Sequence, residues 1–288
     1  MHDRHPTCQV ITAGDELLLI DCGEGAQSQM NRFKIRRSRI NHIYISHLHG
    51  DHYFGLPGLL NSFSLTNRKD PIHLYAPAEL KPILDLQFDA AQAHLSYSLI
   101  FHELKEEKEI TDLKKFSIKA FRVSHRIECW GFLIQEKEKP KKIDTDRALD
   151  FDVPSSFFPQ LKEGKDYMHV SGRLVKNEWV TKAANPSRSY AFCADTRFDP
   201  EIANKIRSCN LLYHEATYLD DLREKAEDRF HSTAKQAAKM ALLAEAKHLL
   251  IGHFSSKYDE LAPFLTEASA LFPQTELAIE GASYLIRD

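Results

Sequence analysis

Four ionisable side chains lie within one short segment of the sequence: His47, His49, Asp51 and His52 form the pattern H-x-H-x-D-H. Residues two apart on an extended chain point the same way, so His47 and His49 can bind one cation together. Asp51 and His52 then face a second cation. The alternative is an ordinary polar loop, but the pattern is specific for so short a motif, and it predicts a site for two metal ions.

The chemistry of these ligands indicates which metal the site would bind. Imidazole and carboxylate groups without thiolate suit zinc, with Mn²⁺ or Fe²⁺ as substitutes. We therefore expect two Zn²⁺ per chain, held about 3.5–4 Å apart by a shared carboxylate. Such a pair produces hydroxide from water near neutral pH and stabilises charge that grows on a phosphoryl oxygen. The predicted chemistry is hydrolysis.

The H-x-H-x-D-H signature after a strand resembles the metallo-β-lactamase superfamily, and the resemblance covers nearly the whole chain. It implies an α/β fold, namely a four-layer αββα sandwich of two mixed sheets flanked by helices, in a single domain over 1–288. It also implies that the remaining ligands follow later strands: His125, His253 and Asp195, which would bridge both ions. A lone histidine after a strand is more often a surface residue or a hydrogen-bonded core residue, so the argument rests on the set.

Further segments resemble the ribonuclease Z family: 21–25 (DCGEG), 214–217 (HEAT), 230–233 (FHST) and 251–258 (IGHFSSKY). The resemblance implies that His231 protonates the leaving 3′ oxygen and that Asp51 is a proton acceptor as well as a ligand. The alternative for His231 is a cap on an exposed helix. Glu215 is expected to orient a metal ligand.

The implied function is a zinc-dependent endoribonuclease that removes the 3′ trailer from precursor tRNA. Hydroxide would attack a phosphodiester and leave a 3′-hydroxyl on the tRNA. Two alternatives remain: a phosphodiesterase, arylsulfatase or lactonase-type hydrolase of small molecules on the same fold, and a metal-dependent binding protein without catalysis. Five basic residues precede the metal motif and are either phosphate contacts beside the scissile bond or a solvated helix end: Arg32, Lys34, Arg36, Arg37 and Arg39.

The elements that must position these residues are short apolar runs alternating with helical patterns, which favours a layered α/β domain over a helical bundle. Strands are predicted at 16–20, 43–46, 72–75, 99–104, 116–123, 130–135, 189–194, 210–213 and 249–252. Helices are predicted at 29–34, from about 53, at 200–206 and at 233–246, the last capped by Ser232 or Thr233. Residues 136–187 are polar with little periodicity, which predicts an arm or insertion.

Composition narrows the setting of the protein. A net charge of −3 argues against a basic protein that coats nucleic acid and leaves RNA contacts to local patches. Five scattered cysteines without a C-x-x-C pair or a secretory leader are interpreted as reduced thiols, which predicts a cytoplasmic location. Cys193 is expected to be a small buried apolar residue although it lies two positions before Asp195. No apolar run approaches the roughly 20 residues of a spanning helix, so no membrane contact is expected.

Two features differ from the family pattern. The family's first strand, with a Leu-Gly-Thr-like turn, should precede Thr7, and the short lead from Met1 does not contain it, so we expect a truncated start. The family arm carries a Gly-Pro motif that holds the tRNA elbow, whereas 157–164 (FFPQLKEG) occupies that place here. The resemblance also implies a homodimer in which the arm of one subunit holds the tRNA that is cut in the other.

Overall fold

The computed structural model describes residues 4–287. They divide into two compact units, of which the first comprises 4–135 with 189–287 and the second comprises Glu136–Arg188. Residues 1–3 lie outside the described residues, and with them lies part of the lead in which the family pattern implies a further strand.

The strands of the described residues are β1 (Gln9–Ala13), β2 (Glu16–Ile20), β3 (Ile40–Tyr44), β4 (Ile72–Ala76), β5 (Leu99–Glu103), β6 (Lys108–Asp112), β7 (Phe116–Arg122), β8 (Trp130–Glu136), β9 (Lys142–Ile143), β10 (Tyr167–Met168), β11 (Leu174–Val175), β12 (Thr181–Lys182), β13 (Ser189–Cys193), β14 (Leu211–Glu215), β15 (His248–Gly252) and β16 (Thr275–Leu277). The predicted strands are all present, with ends that differ by up to three residues. Three strands of the first unit were not predicted: β1, β6 and β16.

The helices of the same residues are α1 (Ala26–Arg32), α2 (Gly50–Tyr53), α3 (Leu56–Leu65), α4 (Leu80–Ala90), α5 (Thr145–Asp150), α6 (Phe158–Lys162), α7 (Asn177–Val180), α8 (Ile202–Lys205), α9 (Arg223–Asp228), α10 (Ala234–Leu243) and α11 (Ala262–Ser269). Thr233 is the cap of α10, and a reciprocal pair of hydrogen bonds with Gln236 forms a capping box. This decides between the two predicted cap residues.

Two mixed sheets form the centre of the first unit. The first sheet has the order β1-β2-β3-β4-β5, in which β1 and β2 are antiparallel and β2 to β5 are parallel. The second sheet has the order β16-β15-β14-β13-β8-β7-β6, with β13 to β16 parallel and β8 antiparallel to β13. Because parallel neighbours end at the same edge of a sheet, residues that follow these strands collect at one edge.

Side-chain burial arranges these elements in four layers. Tyr44 and Tyr75 of the first sheet share a buried cluster with Phe132 and Phe192 of the second, and Met240 of α10 belongs to the same cluster. The opposite face of the first sheet packs against a second cluster, in which Leu19, Ile43 and Leu74 meet side chains of α3 and α4. The order is therefore helices, sheet, sheet, helices, as predicted from the sequence.

The second unit, Glu136–Arg188, has its own small core. Its buried apolar side chains are Ala148, Val153, Leu161, Val175 and Val180. They are contributed by short helices, by the loop after α5 and by β11. The unit also contains two two-stranded sheets, β9 with β12 and β10 with β11. The two ends of the unit lie together, because the Glu136 amide donates to the Arg188 carbonyl at 2.8 Å. The segment thus leaves and rejoins the chain at a single place.

Candidate active site

Two groups of potential ligands lie at the carboxyl ends of the strands. In the first group, His49 Nδ1 lies 3.0 Å from His47 Nε2 and 3.2 Å from His125 Nε2. In the second group, His253 Nε2 lies 3.4 Å from an oxygen of Asp51, and His52 Nε2 lies 3.7 Å from the same oxygen. The structure therefore brings together all the histidines that the sequence predicted as ligands.

Asp195 connects the two groups. Its Oδ2 lies 3.7 Å from His47 Nε2, whereas its Oδ1 lies 3.4 Å from His52 Nε2 and 3.3 Å from His253 Nε2. One carboxylate oxygen thus faces each group, which is the geometry a bridging ligand requires. Four ligand atoms of the first group, those of His47, His49, His125 and Asp195, lie within 4.8 Å of one another.

Unpaired buried atoms test whether the site fits a metal. Among the described residues, His52 Nε2 and Asp195 Oδ1 are buried and have no hydrogen-bond partner. A buried polar atom without a partner is costly, and a cation between these two atoms would satisfy both. Together with the imidazole and carboxylate donors, this observation shows that the residues present fit divalent metal ions.

The other ring nitrogens of these histidines are held by neighbours. His52 Nδ1 donates to Asp21 at 2.7 Å, and His253 Nδ1 lies 2.9 Å from the Thr217 hydroxyl. His125 Nδ1 donates to the Phe230 carbonyl at 2.9 Å. Such partners fix the ring orientation and leave the opposite nitrogen for the metal.

Sequence reasoning missed the orienting roles of Asp21, Thr217 and Phe230. The signal for Asp21 was its position directly after a buried strand, and that for Thr217 was its place in the HEAT segment. Phe230 carried no such signal, because its contribution is a backbone oxygen.

Asp21, Phe230 and His253 all have φ near +58°, at 57°, 58° and 59°. Residues other than glycine rarely adopt this left-handed backbone conformation. It costs on the order of 1–3 kcal/mol and is typically retained at functional sites.

The metal motif packs tightly against the segment that follows β2. The Cys22 amide donates to the His52 carbonyl at 2.7 Å, and the Gly55 amide donates to the Cys22 carbonyl at 2.9 Å. A Cβ atom at Gly23 would lie 2.3 Å from the Asp51 carbonyl oxygen. Only glycine therefore allows this approach of the two backbones, which accounts for the glycine in the DCGEG segment.

The charges of the site differ between its two groups of ligands. Burial lowers the pKa of His47 to about 2 and that of His49 to about 4, so both rings are neutral. Burial alone would also lower the pKa of His253, but the charge of Asp195 and the hydrogen bond to Asp51 outweigh it and raise that pKa to about 9. For His52 the same balance, with Asp195 and Asp21, raises the pKa well above its usual range.

These pKa directions predict that zinc displaces protons from the apoprotein. A raised pKa means that His52 and His253 hold their protons at pH 7, and a metal binds only the neutral ring, so loading should release about two protons from these rings, in addition to the proton that a metal-bound water loses. Affinity for zinc should accordingly increase as pH rises toward 9. Calorimetry in buffers of different ionisation enthalpy measures this release. The variant His253→Ala should release about one proton fewer; zinc uptake without proton release would contradict the assignment.

His231 is not one of the predicted ligands, although one of its ring nitrogens lies within 4.8 Å of ligand atoms of Asp195 and His253. Its ring is 5.6 Å from that of His253, centre to centre, and its Nδ1 lies 2.9 Å from Glu215 Oε1. Burial alone would lower the pKa of His231, but the hydrogen bond and charge of Glu215 raise it. The ring is therefore biased toward its protonated form, as a general acid requires.

Glu215 is fully buried and holds several groups at once. It accepts hydrogen bonds from the Thr196, Thr217 and Ser232 amides as well as from His231. The sequence predicted that it orients a metal ligand. Its direct side-chain contact among the histidines is with His231, and it also reaches the potential ligand His253 through the Thr217 hydroxyl.

Arg32 and Lys34 stand at the end of α1 and just after it, and the other three basic residues lie at the start of β3, the end opposite the metal motif. They precede Ile40, whereas the metal motif follows Tyr44, and Arg39 contacts the carbonyl of Asp15 in the turn before β2. At about 3.3 Å per residue, the five residues of β3 alone separate the two places by roughly 16 Å. The basic residues at the start of β3 therefore do not lie beside the scissile bond, as was expected, because β3 begins at the edge of the sheet opposite the metal motif.

The cysteines take no part in the site. Cys193 is fully buried in the core, as predicted, and Cys8, Cys22, Cys129, Cys193 and Cys209 are all free thiols.

Comparison with known proteins identifies the family. The ribonuclease Z of Bacteroides thetaiotaomicron is 40% identical over 284 residues, which cover 98% of this chain and 90% of that protein. The chain belongs to the ribonuclease Z family. The family and the class of enzyme predicted from the sequence are confirmed by this relative.

Solved structures agree with the family. The crystal structure of the short form of human tRNase Z matches with a TM-score of 0.72 and 26% identity, covering 99% of this chain and 94% of that one. The metallo-β-lactamase fold protein YhfI from Bacillus subtilis matches with a TM-score of 0.67 and 15% identity, covering 98% and 92%. The predicted fold class is thereby confirmed.

Residues 3–153 also match the family described as Anti-Pycsar protein Apyc1.

Proposed function

We propose that the chain is a metal-dependent endoribonuclease that removes the 3′ trailer from precursor tRNA and leaves a 3′-hydroxyl on the tRNA. The observation that carries the proposal is the arrangement of two ligand groups joined by Asp195, with His231 beside them. The relatives named ribonuclease Z and the tRNase Z structure support the substrate.

The metal set of the proposal is His47, His49, Asp51, His52, His125, Asp195 and His253. Two zinc ions, with Mn²⁺ or Fe²⁺ as substitutes, would supply hydroxide near neutral pH and stabilise charge on the phosphoryl oxygens. Five of the seven ligands are histidines, and none is a thiolate, which suits zinc.

Asp51 and His231 have complementary tasks in this proposal. Burial alone would raise the pKa of Asp51, but its hydrogen bond to His253 and the charge of His52 lower it, so the group is ionised, as a proton acceptor must be. His231 is held through Nδ1 by Glu215, which leaves Nε2 to donate a proton to the departing 3′ oxygen. One residue thus takes a proton while the other provides one.

The experiment that tests the function is cleavage of a defined substrate. A precursor tRNA with a 3′ extension, labelled at its 5′ end, is incubated with the zinc-loaded protein, and the cut is mapped. We expect a cut near the end of the acceptor stem that leaves a 3′-hydroxyl on the tRNA and a 5′-phosphate on the trailer. An intact precursor, with rapid turnover of small phosphodiesters, sulfates or lactones, would favour the alternative hydrolase on the same fold. Zinc binding without any turnover would favour a binding protein.

The proposal extends to the location and the assembly of the protein. Free cysteines and a tRNA substrate support a cytoplasmic location. Among residues 4–287, no helix is long and apolar enough to cross a membrane. We further propose a homodimer in which the arm, Glu136–Arg188, holds the tRNA that is cut in the other subunit.

Deleting the arm tests its part in substrate binding. Because Glu136 and Arg188 are hydrogen-bonded, a short Gly-Ser linker can replace 137–187 without spanning a gap. We expect the deletion to raise KM for precursor tRNA about tenfold or more, because it removes remote binding contacts, and to spare small phosphodiesters. Equal losses on both substrates would show that the arm is structural. Light scattering on both forms reports whether a dimer is present.

The basic residues Arg32, Lys34, Arg36, Arg37 and Arg39 stay in the proposal as contacts to RNA phosphates. All but Arg37 are exposed, so their charges are available to a substrate. Their place at the far end of β3 suits phosphates away from the cut rather than beside it.

A further inference from the structure

A cleft next to the metal motif has no part in the chemistry described so far. Its volume is about 390 Å³, which is within the range of small-ligand sites. Its lining residues are Glu24, Tyr53, Phe54, Pro57, Ile83 and Gln87. Two of its lining residues, Tyr53 and Phe54, directly follow His52, so the cleft borders the metal motif.

Phe54 lines this cleft with a largely exposed aromatic side chain. Its side chain is 61% exposed, although the apolar residues that follow it in α3, such as Leu56 and Leu59, are fully buried. Its ring lies against Gly50, where a Cβ atom would come within 2.4 Å of a ring carbon. Gly50 stands between His49 and Asp51. One side of the Phe54 ring thus packs on the backbone of the metal motif, and the core does not cover the rest of the ring.

The polar groups of the cleft exclude a phosphate as its occupant. The lining contains one carboxylate, that of Glu24, and one amide, that of Gln87, but no lysine, arginine or histidine. An anion would meet negative charge without a compensating cation. A flat ring with hydrogen-bonding groups along its edge suits this lining, because it can stack on Phe54 while amino groups donate to Glu24.

The position of the cleft indicates which part of the substrate it would take. His231 lies with the second sheet, in the segment between β14 and β15, whereas Phe54 follows the first sheet. If the tRNA 3′ oxygen departs toward His231, the nucleotides on the other side of the cut lie toward Phe54.

We propose that this cleft is a nucleobase subsite that stacks an unpaired base of the 3′ trailer on Phe54. The inference rests on the proposed function, since it needs an RNA substrate. The base beside the cut is thereby held independently of the metal ligands, and its stacking fixes the trailer while the phosphodiester is cleaved.

The test combines abasic substrates with variants of Phe54. Precursor tRNAs that carry a single abasic nucleotide at the first, second or third trailer position are compared with the intact substrate. With the unaltered protein, we expect one position to lower kcat/KM about tenfold, as loss of a base stacked on an aromatic ring typically does. Phe54→Ala should lose a similar factor on the intact substrate, and the abasic nucleotide should then cost nothing further. Phe54→Trp should retain the preference.

Controls separate stacking from structure. Leu86→Ala removes another exposed apolar side chain, 71% exposed on α4 but outside the cleft, and should leave kcat/KM unchanged. Zinc content and turnover of p-nitrophenyl methyl phosphate, which has no base, should stay the same in Phe54→Ala. If that variant loses zinc, Phe54→Leu, which keeps apolar packing on Gly50 without a ring, replaces it in the comparison.

The outcomes are distinct. Equal rates on all abasic substrates, or a Phe54→Leu variant that keeps the full preference, would overturn the subsite while the proposed function stands. An unaltered protein that cuts no precursor tRNA would overturn the proposed function and the subsite with it.

Discussion

Asp195→Ala is expected to lose both metal ions and all measurable cleavage. Asp195 is the only predicted ligand whose two oxygens face different groups, at 3.7 Å from His47 and 3.3 Å from His253. Its removal leaves each group one ligand short and takes away one of the two carboxylates that lie beside the rings of both His52 and His253. Zinc per chain should therefore fall from about two to below one.

Elemental analysis after zinc reconstitution and desalting measures the metal, and circular dichroism verifies the fold. Asp199→Ala is the matched control, since it removes a carboxylate four residues away that contacts the Glu201 amide and belongs to neither ligand group. Asp199→Ala should keep both ions. Normal turnover by Asp195→Ala would show that another residue bridges the metals, and a maximum of one ion in the unaltered protein would remove the binuclear mechanism.

The first four ligands could be predicted because their spacing along one short segment is a local property of the sequence. H-x-H-x-D-H is visible in the sequence, and the resemblance to the metallo-β-lactamase superfamily then pointed to His125, Asp195 and His253, each of which follows an apolar run. The apolar strands were predicted for the same reason: ELLLI in β2 and SYAFC in β13 are buried along almost their whole length.

The elements that were missed depend on their neighbours. β6 has the sequence KEITD and is mostly exposed, so it has no alternating pattern, and its extended form comes from pairing with β7. The Phe230 carbonyl reaches His125 across 105 positions of sequence, and its left-handed backbone is not encoded by the residue type. Such contacts are properties of the assembled fold, which explains why the ligands were predicted while their orienting partners were not.

The direct contact of Glu215 with His231 changes how the HEAT segment is interpreted. Asp21 and Thr217 each hold the ring of a predicted ligand, whereas the buried Glu215 carboxylate holds a ring outside the metal set. A buried carboxylate is costly unless it is well paired, and here amides of Thr196, Thr217 and Ser232 also donate to it. The arrangement suits a histidine that must be protonated before the leaving oxygen departs.

His231→Ala is expected to lower turnover of precursor tRNA by about 10²–10⁴-fold while both zinc ions and the fold are retained. A ribose 3′ oxygen is a poor leaving group unless it is protonated, and His231 is positioned to protonate it by Glu215 at 2.9 Å. Because Glu215 raises the pKa of His231, the ring keeps its proton to higher pH than an ordinary imidazole and loses it as pH rises through that pKa. The rate of the unaltered protein should therefore fall on the alkaline side, and the variant should lack this decline.

The leaving group separates this role from metal binding or substrate positioning. A phosphodiester with a nitrophenolate leaving group needs little protonation, so His231→Ala should lose much less on it than on precursor tRNA. His248→Ala is a suitable control, since His248 lies at the start of β15, at the far end of the strand that leads to His253. Equal losses on both substrates would assign His231 to positioning, and unchanged turnover on both would remove it from the mechanism. Only a loss confined to the poor leaving group, with the zinc content intact, identifies the proton that His231 carries.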